Sequence, residues 1–392
     1  MRKISMLAAA ATLGTVAVLP AAAPALAAGP APVRVSLPSP TGTHRTGVTE
    51  LHLVDRSRPD PWLPGQPYRE LMASVFYPAR DAGHHPVAPQ LRPLAAADFD
   101  ATIGAVPPGA VDWAGTRTHS LAGAPADRAA GGYPVVLYSP GFGVPRTFGT
   151  VLAEELASRG YIVVTMDHTY EAPQVEFPGG RVEKGRTTGG PGEMDTALAA
   201  RVADTRFVLD RLAELDKGRN PDAGNRRLPA GLRGSLDLSS VAMFGHSFGG
   251  ATTAAAMHAD RRIDAGADLD GSLFGPVVEA GLDRPFLLVG ADYPEGRDPS
   301  WRTFRENQRG WVRELTFTGA QHYTFTDLQA MIPAFAGRMT MPAAEFIGTI
   351  DPARALAAQR AYLGAFFRQH LLGCREPLLD GPSPTHPEVV FE

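Results

Sequence analysis

Cysteine is nearly absent from this sequence of 392 residues, and that absence excludes one class of protein at once. Cys374 is the single cysteine, so no disulfide can form within the chain, and a disulfide-stapled scaffold is excluded. A chain of this length buries roughly three quarters of the surface that its unfolded form exposes, so it folds without staples. We expect Cys374 to be a buried, dispensable small residue, with an intermolecular thiol as the alternative.

An excess of basic residues is also missing. The formal net charge is −4 at pH 7, whereas a protein that binds nucleic acid would carry a strongly basic domain. No glycine-rich phosphate loop or dinucleotide pattern follows the first predicted strand. His84 and His85 have only Asp81 nearby, which is too few ligands for a metal site. We therefore expect no nucleic-acid partner, no cofactor and no metal.

The only long hydrophobic run lies at the start of the chain. A positively charged beginning, an apolar run over 4–19 and a small-residue cleavage site predict a secretory signal peptide over 1–28. The run is shorter than the ~20 residues of a membrane-spanning helix, so a retained anchor is the less favoured alternative. The protein is therefore predicted to be secreted, with no transmembrane segment in the mature chain and one domain over 35–392.

Beyond residue 133, short β-branched runs alternate with long alanine-rich stretches. This alternation is typical of an α/β fold with a mostly parallel central sheet and helices on both faces. The predicted strands are 51–54, 70–77, 135–138, 161–166, 241–244, 267–269, 285–289 and 312–317, and the predicted helices are 94–103, 150–159, 194–215, 343–347 and 352–372. The polar, glycine-rich segment 171–192 has no role that the sequence indicates.

Chemistry is indicated at one predicted turn. The residues Gly-His-Ser-Phe-Gly occupy 245–249, directly after a predicted strand and before a run of small residues. In a nucleophile elbow the serine sits on a sharp strand-to-helix turn, and the glycines let neighbouring backbone pass close by. The strand, the helix and the small residues favour this interpretation over a chance loop, and they make Ser247 the candidate nucleophile.

A serine hydroxyl is a weak nucleophile, so an elbow predicts a histidine base later in the chain. Four histidines follow Ser247. His258 lies on the helix that the serine begins, ~16 Å along its axis. His370 falls in the last helix and His386 in a proline-rich tail, and both are interpreted as structural or solvent residues. His322 follows the last predicted parallel strand, where loops line the site of such sheets, and is the candidate base.

The acid is less well determined by the residues. Asp270 and Asp292 each end a predicted strand, and both keep the chain order serine, acid, histidine. Strand counting favours Asp292, because many enzymes with this kind of sheet place their acid there. Asp268, two residues before Asp270, is a third and weaker candidate. The residues alone leave the choice open.

Four spaced motifs resemble those of a known family. The motifs are Tyr-Ser-Pro-Gly-Phe-Gly at 138–143, Gly-His-Ser-Phe-Gly-Gly-Ala-Thr at 245–252, Leu-Asp-Gly-Ser-Leu-Phe at 269–274 and His-Tyr-Thr-Phe-Thr-Asp at 322–327. They resemble the plasma and intracellular isoform II platelet-activating factor acetylhydrolases. Secreted bacterial lipases of that family are also similar in the early part of the chain, so the resemblance covers most residues from about position 40.

The resemblance implies an α/β-hydrolase fold and a catalytic triad. It implies Ser247 as nucleophile, Asp270 as acid and His322 as base, because the family carries its acid in a Leu-Asp-x-x-Met/Leu-Phe string. Asp292 remains the alternative acid.

The same resemblance implies an oxyanion hole, which acyl transfer needs in order to stabilise its tetrahedral intermediate. The two donors would be the backbone N–H groups of Phe142 and Phe248. This chain has Ser139-Pro140 where many relatives have Ser-His. The N–H of Phe142 is unaffected by that difference, but any supporting role of the relatives' histidine is lost.

As to function, the family implies a secreted serine esterase or lipase acting on phospholipids with a short or oxidised sn-2 acyl chain. Three alternatives stay open: a broad hydrolase of short-chain esters, triglycerides or polyesters, an acyltransferase with the same triad, and a non-catalytic binding module. The partner would be a small-molecule or lipid ester, with interfacial contact to lipid aggregates as a further option. The aromatics that could form such a surface are Trp62, Trp113, Trp301, Trp311, Phe366 and Phe367. Aromatics so far apart in sequence are more typical of a core.

Overall fold

Strands and helices alternate along most of the polypeptide. The computed structural model describes residues 30–392 apart from 81–82, 191, 295 and 297, so the predicted signal peptide lies outside the described residues. The strands are β1 Arg45–Asp55, β2 Arg69–Ala79, β3 Val87–Pro89, β4 Arg117–Ala122, β5 Tyr133–Ser139, β6 Ile162–Met166, β7 Gln174–Glu176, β8 Val182–Lys184, β9 Leu236–His246, β10 Ala265–Leu269, β11 Phe286–Ala291, β12 Val312–Phe317 and β13 Val389–Phe391. The helices are α1 Pro93–Thr102, α2 Thr150–Ser158, α3 Glu193–Asp216, α4 Phe248–Ala259, α5 Val277–Ala280, α6 Pro299–Asn307, α7 Leu328–Phe335, α8 Ala344–Ile347 and α9 Pro352–Leu372.

Eleven of the described strands form a single sheet. Their order is β13-β12-β11-β10-β9-β5-β6-β2-β1-β4-β3, and β7 and β8 pair separately. Six neighbours, from β6 through β5, β9, β10 and β11 to β12, run parallel. Strands β2 and β13 join this run antiparallel at its two sides. The carboxyl ends of the six parallel strands therefore meet at one edge, which is where ligands bind in such sheets.

Both faces of the sheet are covered by helices. Successive residues of a strand point to opposite faces. On β5, Val135 and Leu137 pack in one hydrophobic cluster with residues of α3, α4 and α6. Val136 and Tyr138 pack in the other cluster, which is formed with α2 and α9. The continuous apolar runs of the sequence are therefore strands buried on both sides.

Helix α9 shows how local sequence sets an element. Asp351 precedes it, and the side chain of this residue accepts the N–H of Arg354 at 2.9 Å. Pro352 occupies the first helical position, where its fixed φ and missing N–H cost nothing. Gly373 ends the helix at φ 67°, a left-handed conformation that glycine adopts freely.

The predicted α/β architecture is confirmed, with differences at the level of single elements. Strands β1 and β9 are longer than predicted, and β3, β4, β13, α5, α6 and α7 were not predicted from the sequence. The segment 171–192 contains the β7–β8 pair. Residues 32–392 form one compact unit. In the described part of the chain, no helix has both the length and the apolar character needed to cross a bilayer.

The aromatics considered for a lipid surface are mostly core residues. Trp113, Trp301, Phe366 and Phe367 are at most 3% exposed, and Trp62 and Trp311 are half-buried. The lone cysteine, expected to be buried, is instead half-buried, just past the end of α9.

Candidate active site

Ser247 lies on the sharp turn between β9 and α4. Its φ of 55° and ψ of −125° place it in a backbone region that residues with a side chain seldom adopt. The N–H of Ser247 donates to the carbonyl oxygen of Leu269 at 2.8 Å, which fixes the turn against the end of β10. The side chain is half-buried. The geometry is that of the predicted nucleophile elbow.

Glycines allow the elbow to pack this closely. A Cβ atom on Gly249 would lie 1.9 Å from the carbonyl oxygen of Ser139, and one on Gly245 would lie 2.2 Å from the Gly249 carbonyl group. A Cβ on Gly250 would lie 1.6 Å from Asp268 Oδ1. Real Cβ atoms do not approach other atoms to such distances, so glycine is a packing requirement at these three positions.

His322 and Asp270 are brought together at the same edge of the sheet. His322 begins a 3₁₀ turn after β12, and its Nδ1 lies 2.7 Å from Asp270 Oδ2. The Asp270 side chain is 4% exposed and the His322 side chain 37%. Asp270 Oδ2 also accepts the hydroxyl of Tyr293 at 2.6 Å, and Oδ1 accepts the N–H of Ala291 at 2.8 Å. Because a carboxylate only accepts, the proton of the imidazole lies on Nδ1, and Nε2 is left to take a proton.

The other two acid candidates lie elsewhere. Asp292 is exposed, and its Oδ2 accepts the N–H of Gly319 at 3.3 Å. Asp268 is fully buried, and its Oδ1 accepts the N–H of Gly271 at 2.9 Å. Burial, and then the nearby charge of Asp270, raise the pKa of Asp268 well above its ordinary value. Among the described residues, neither carboxyl group is hydrogen-bonded to His322.

His246, directly before the nucleophile, is a residue that the sequence analysis missed. It is fully buried, and its Nε2 donates to the backbone carbonyl of His322 at 2.9 Å. The two imidazole rings lie 4.6 Å apart between centroids. Burial, and then the positive charge that His322 carries when it is protonated, lower the pKa of His246 well below its ordinary value, so this imidazole is neutral. Its position next to Ser247 in the motif was the available signal.

His246 therefore connects the two residues: it directly precedes Ser247 in the chain, and it is hydrogen-bonded to the backbone of His322. In the described part of the chain, no hydrogen bond joins Ser247 Oγ to the His322 ring. Such contacts are often long in ligand-free enzymes and tighten when substrate binds.

The loop after β5 lies beside the nucleophile. A Cβ atom on Gly141 would lie 2.9 Å from His246 Nδ1 and 3.3 Å from Ser247 Cβ. The rings of Phe142 and Phe248 contact each other edge-on, 6.1 Å between centroids. The two backbone segments expected to supply oxyanion donors thus meet next to Ser247.

A buried polar network packs at the end of β5, where this loop begins. Ser139 Oγ lies 2.9 Å from His168 Nε2, and His168 Nδ1 lies 2.8 Å from Asp204 Oδ2. All three side chains are fully buried. Burial, and then the charge of Arg201, lower the pKa of His168 to about 3, so the ring is neutral. These residues have the types of a triad, but they are inaccessible to substrate and act as structure.

The remaining histidines of the sequence analysis have structural surroundings. His370 packs on the rings of Trp311 and Phe366, 4.8 and 4.9 Å away, and burial lowers its pKa to about 4. His386 packs against Tyr362 at 5.7 Å. His258 is exposed near the end of α4.

Metal ligands are not grouped in the part of the chain that the structure describes: no three His, Cys, Asp or Glu side chains there are placed to share an ion. His85 Nδ1 bonds to the carbonyl of Ala122 at 2.9 Å. Asp81, its expected neighbour, lies outside the described residues. Asp167 pairs with Arg146 and accepts that residue's N–H at 2.7 Å.

One cavity is lined by His322, and a second is lined by the next residue, Tyr323. The more polar of the two measures about 490 Å³ and is lined by Asp270, Tyr293 and His322 itself, among others. The apolar one measures about 290 Å³ and is bordered by Gly143, which follows Phe142, and by Tyr323, which follows His322. Five aromatic rings line the apolar cavity: Phe99, Phe148, Tyr323, Phe335 and Phe346.

The family model and the curated relatives point to one family, and the solved structure reported below is that of another esterase. The sequence matches the family model described as platelet-activating factor acetylhydrolase, isoform II, over residues 115–176 and 194–376. A probable 1-alkyl-2-acetylglycerophosphocholine esterase of Arthroderma benhamiae is 33% identical over 91% of this chain and 93% of that protein. The platelet-activating factor acetylhydrolase of Cavia porcellus is 27% identical over 53% of this chain and 51% of that protein. The solved structure of a ferulic acid esterase from Streptomyces cinnamoneus is similar with a TM-score of 0.76 and 38% identity, covering 91% of this chain and 99% of that one.

Proposed function

This chain belongs to the family of platelet-activating factor acetylhydrolases, isoform II, an α/β-hydrolase family, and on that premise we propose that it hydrolyses carboxylic esters through an acyl-enzyme on Ser247. The observation that carries the proposal is the 2.7 Å bond between His322 Nδ1 and Asp270 Oδ2, at the sheet edge that the elbow shares. A histidine oriented by a carboxylate beside a serine on a sharp turn is the arrangement that activates a hydroxyl nucleophile.

Each proposed step uses one of these groups. Ser247 Oγ attacks the ester carbonyl while His322 Nε2 takes its proton, and the N–H groups of Phe142 and Phe248 hold the oxyanion. The intermediate then collapses, and His322 returns the proton to the departing alcohol. Water attacks the acyl-enzyme by the same route and releases the acid. Asp270 keeps the imidazole in the required tautomer throughout.

Labelling with a fluorophosphonate tests the nucleophile. We expect one label per wild-type chain, located on the peptide that contains Ser247, and no label and no esterase activity in Ser247→Ala. Ser239→Ala removes an exposed serine on β9, the strand that leads to Ser247; it is the matched control and should label normally. An unlabelled wild type, or a label on Ser139, would contradict the proposal.

Phospholipids with a short sn-2 acyl chain are the first candidate substrates. The names of the two acetylhydrolase relatives support this class. Aromatic acyl esters are a second candidate, which the apolar cavity favours. Its five rings can stack on an aromatic acyl group, whereas an acetyl group would leave most of about 290 Å³ unfilled. The ferulic acid esterase neighbour also supports this second class.

A paired substrate panel separates the two candidates. The rate constant kcat/KM is measured with a 2-acetylglycerophosphocholine, with p-nitrophenyl acetate and with methyl ferulate. If the apolar cavity holds the acyl group, Phe346→Ala lowers the ratio of kcat/KM for methyl ferulate to kcat/KM for p-nitrophenyl acetate at least about tenfold. The reason is that burying a phenyl ring contributes roughly 1.5–3 kcal/mol. Phe391→Ala, a partly buried ring on β13, is the control and should leave the ratio unchanged. An unchanged ratio in Phe346→Ala would place the acyl group elsewhere.

We also propose that the chain is exported and that residues 1–28 are removed. Sequencing the amino terminus of protein recovered from culture medium tests this, and a first residue near 29 is the expected result. Recovery of the intact chain from the cell fraction would contradict it.

A further inference from the structure

The Arg201 guanidinium lies directly beneath the loop that follows β5. It projects from α3, is 1% exposed, and donates from Nη1 to the carbonyl oxygen of Pro140 at 2.6 Å. From Nη2 it donates to the carbonyl oxygen of Gly141 at 3.2 Å. A planar guanidinium holds two such acceptors in a fixed relative geometry, which a lysine ammonium does not.

The second of these bonds acts on the peptide unit that supplies an oxyanion donor. The carbonyl of Gly141 and the N–H of Phe142 belong to the same peptide group. No cis peptide bond occurs in the described residues, so this C=O and this N–H point in opposite directions. Holding the carbonyl towards α3 therefore aims the N–H of Phe142 away from α3. The N–H of Val144 also donates to the Gly141 oxygen, at 3.2 Å, and completes the turn.

Arg201 also contacts the segment that carries the second donor. Its guanidinium carbon lies 4.9 Å over the ring of Phe248. The guanidinium is in turn fixed by Glu171, whose two carboxylate oxygens lie 2.7 and 3.0 Å from Nε. Glu171 is fully buried, so this pair cannot rearrange into solvent. One side chain thus touches both halves of the expected oxyanion hole.

We propose that Arg201, anchored by Glu171, is a positioning residue that orients the Phe142 N–H for the oxyanion. This inference rests on the proposed function, because it takes Phe142 and Phe248 as the donors. Arg201 does not touch the substrate and takes no part in proton transfer. It fixes the direction of a donor before the charge develops, which is the condition under which such donors stabilise a transition state.

The test compares variants in kcat, in KM and in the affinity for a trifluoromethyl ketone, which forms a tetrahedral adduct whose oxyanion needs the same donors. Rates are expressed per active serine titrated with a fluorophosphonate, so that misfolded protein does not count. In Arg201→Met we expect kcat to fall about a hundredfold, as when one oxyanion donor is lost. The affinity for the ketone should fall by the same factor, and KM should stay within about threefold, since the ground-state ester does not need the donor.

Two further variants keep the test decisive if Arg201→Met does not fold. Arg201→Lys keeps the charge but can reach only one carbonyl, so its kcat should lie between those of the wild type and the Met variant. Glu171→Gln leaves Arg201 present but loosens its anchor, and kcat and ketone affinity should fall in parallel.

Arg360→Lys is the matched control. Arg360 on α9 also pairs with a buried glutamate, Glu155, and donates to a backbone carbonyl, that of Pro38. It lies on elements that carry none of the proposed catalytic groups. Its kcat per titrated serine should match the wild type.

A purely structural role would give a different result. The melting temperature and the titratable fraction of the Arg201 and Glu171 variants would fall, but kcat per titrated serine and ketone affinity would remain within about threefold of the wild type. That outcome overturns the inference while leaving the proposed function intact. A wild type that neither labels nor hydrolyses esters would instead overturn the proposed function.

Discussion

Replacing Asp270 by asparagine tests the assignment of the acid most directly. The carboxylate accepts three hydrogen bonds, from His322 Nδ1, from the Tyr293 hydroxyl and from the Ala291 N–H. An asparagine has only one oxygen to offer. In either orientation of the amide, its NH₂ group faces at least one of these donors.

The expected loss in kcat follows from the single oxygen atom of the asparagine side chain. If the amide oxygen stays on Ala291, the NH₂ group faces His322 and forces the imidazole proton from Nδ1 to Nε2. In the proposed mechanism Nε2 accepts the proton of Ser247, so the general base is lost. The same change in other triads lowers kcat by about 10⁴, equivalent to about 5 kcal/mol of transition-state stabilisation. We expect a loss of that size here.

The control is Asp292→Asn. Asp292 is exposed and accepts one hydrogen bond at 3.3 Å, which an asparagine oxygen can accept equally well. A bond of about 1 kcal/mol is at stake, so kcat should change by less than about tenfold.

The assay measures kcat of both variants with saturating p-nitrophenyl acetate, per serine titrated. A large loss in Asp292→Asn but not in Asp270→Asn would contradict the assignment, because the acid would then lie one strand onward.

Three further predictions concern stability and the cysteine. Gly249→Ala should destabilise the fold by about 3 kcal/mol or more in urea unfolding, because its Cβ atom would lie 1.9 Å from the Ser139 carbonyl oxygen. The control Gly364→Ala has open space around it in α9 and should stabilise the fold by about 0.5–1 kcal/mol. Equal effects of the two substitutions would contradict this explanation. Burial raises the pKa of Asp327 to about 7, so its contribution to stability is present below about pH 4 and is lost as the pH rises through about 7. Asp327→Asn should remove this loss, worth up to about 4 kcal/mol, and parallel urea-unfolding profiles from pH 4 to 8 for variant and wild type would count against it. Cys374→Ser should leave kcat and melting temperature unchanged, and a clear loss of either would show that the thiol is needed.

The parts of the fold with a strong local pattern were predictable from the sequence. Strands β5, β9 and β11 read as continuous apolar runs because both of their faces are buried. Helix α6 was missed because its sequence is polar, with Trp301 and Phe304 as its buried residues. Helix α7 carries Pro333 in its interior, and β13 has only three residues in a proline-rich tail. Tertiary contacts stabilise these elements, and a local pattern does not reveal such contacts.

The residues of the candidate site also differ in how far the sequence alone could identify them. Ser247 stands in a motif with a known backbone geometry, and His322 follows by elimination among few histidines. The choice between Asp270 and Asp292 could not be made from the residues, since each ends a strand in a similar string. Their difference lies in the backbone, which at Asp270 turns left-handed at φ 64° and brings the carboxylate to His322. Arg201 contacts Gly141, which lies sixty positions earlier in the sequence, and no sequence motif predicts that contact.

Ser247 and Asp270 both have a strained backbone conformation, and this strain bears on how the sequence of a descendant can change. Both adopt positive φ, 55° and 64°, at the ends of neighbouring strands. Such conformations cost of order 1–3 kcal/mol for a residue with a side chain, and less for aspartate. A descendant that loses the proposed activity would gain stability by changing Ser247 to glycine, whereas Asp270 accepts three hydrogen bonds that a glycine would leave unmade. The glycines of the elbow would still be required for packing. Decay of the site should therefore be recorded first at position 247, in copies that keep the rest of the fold intact.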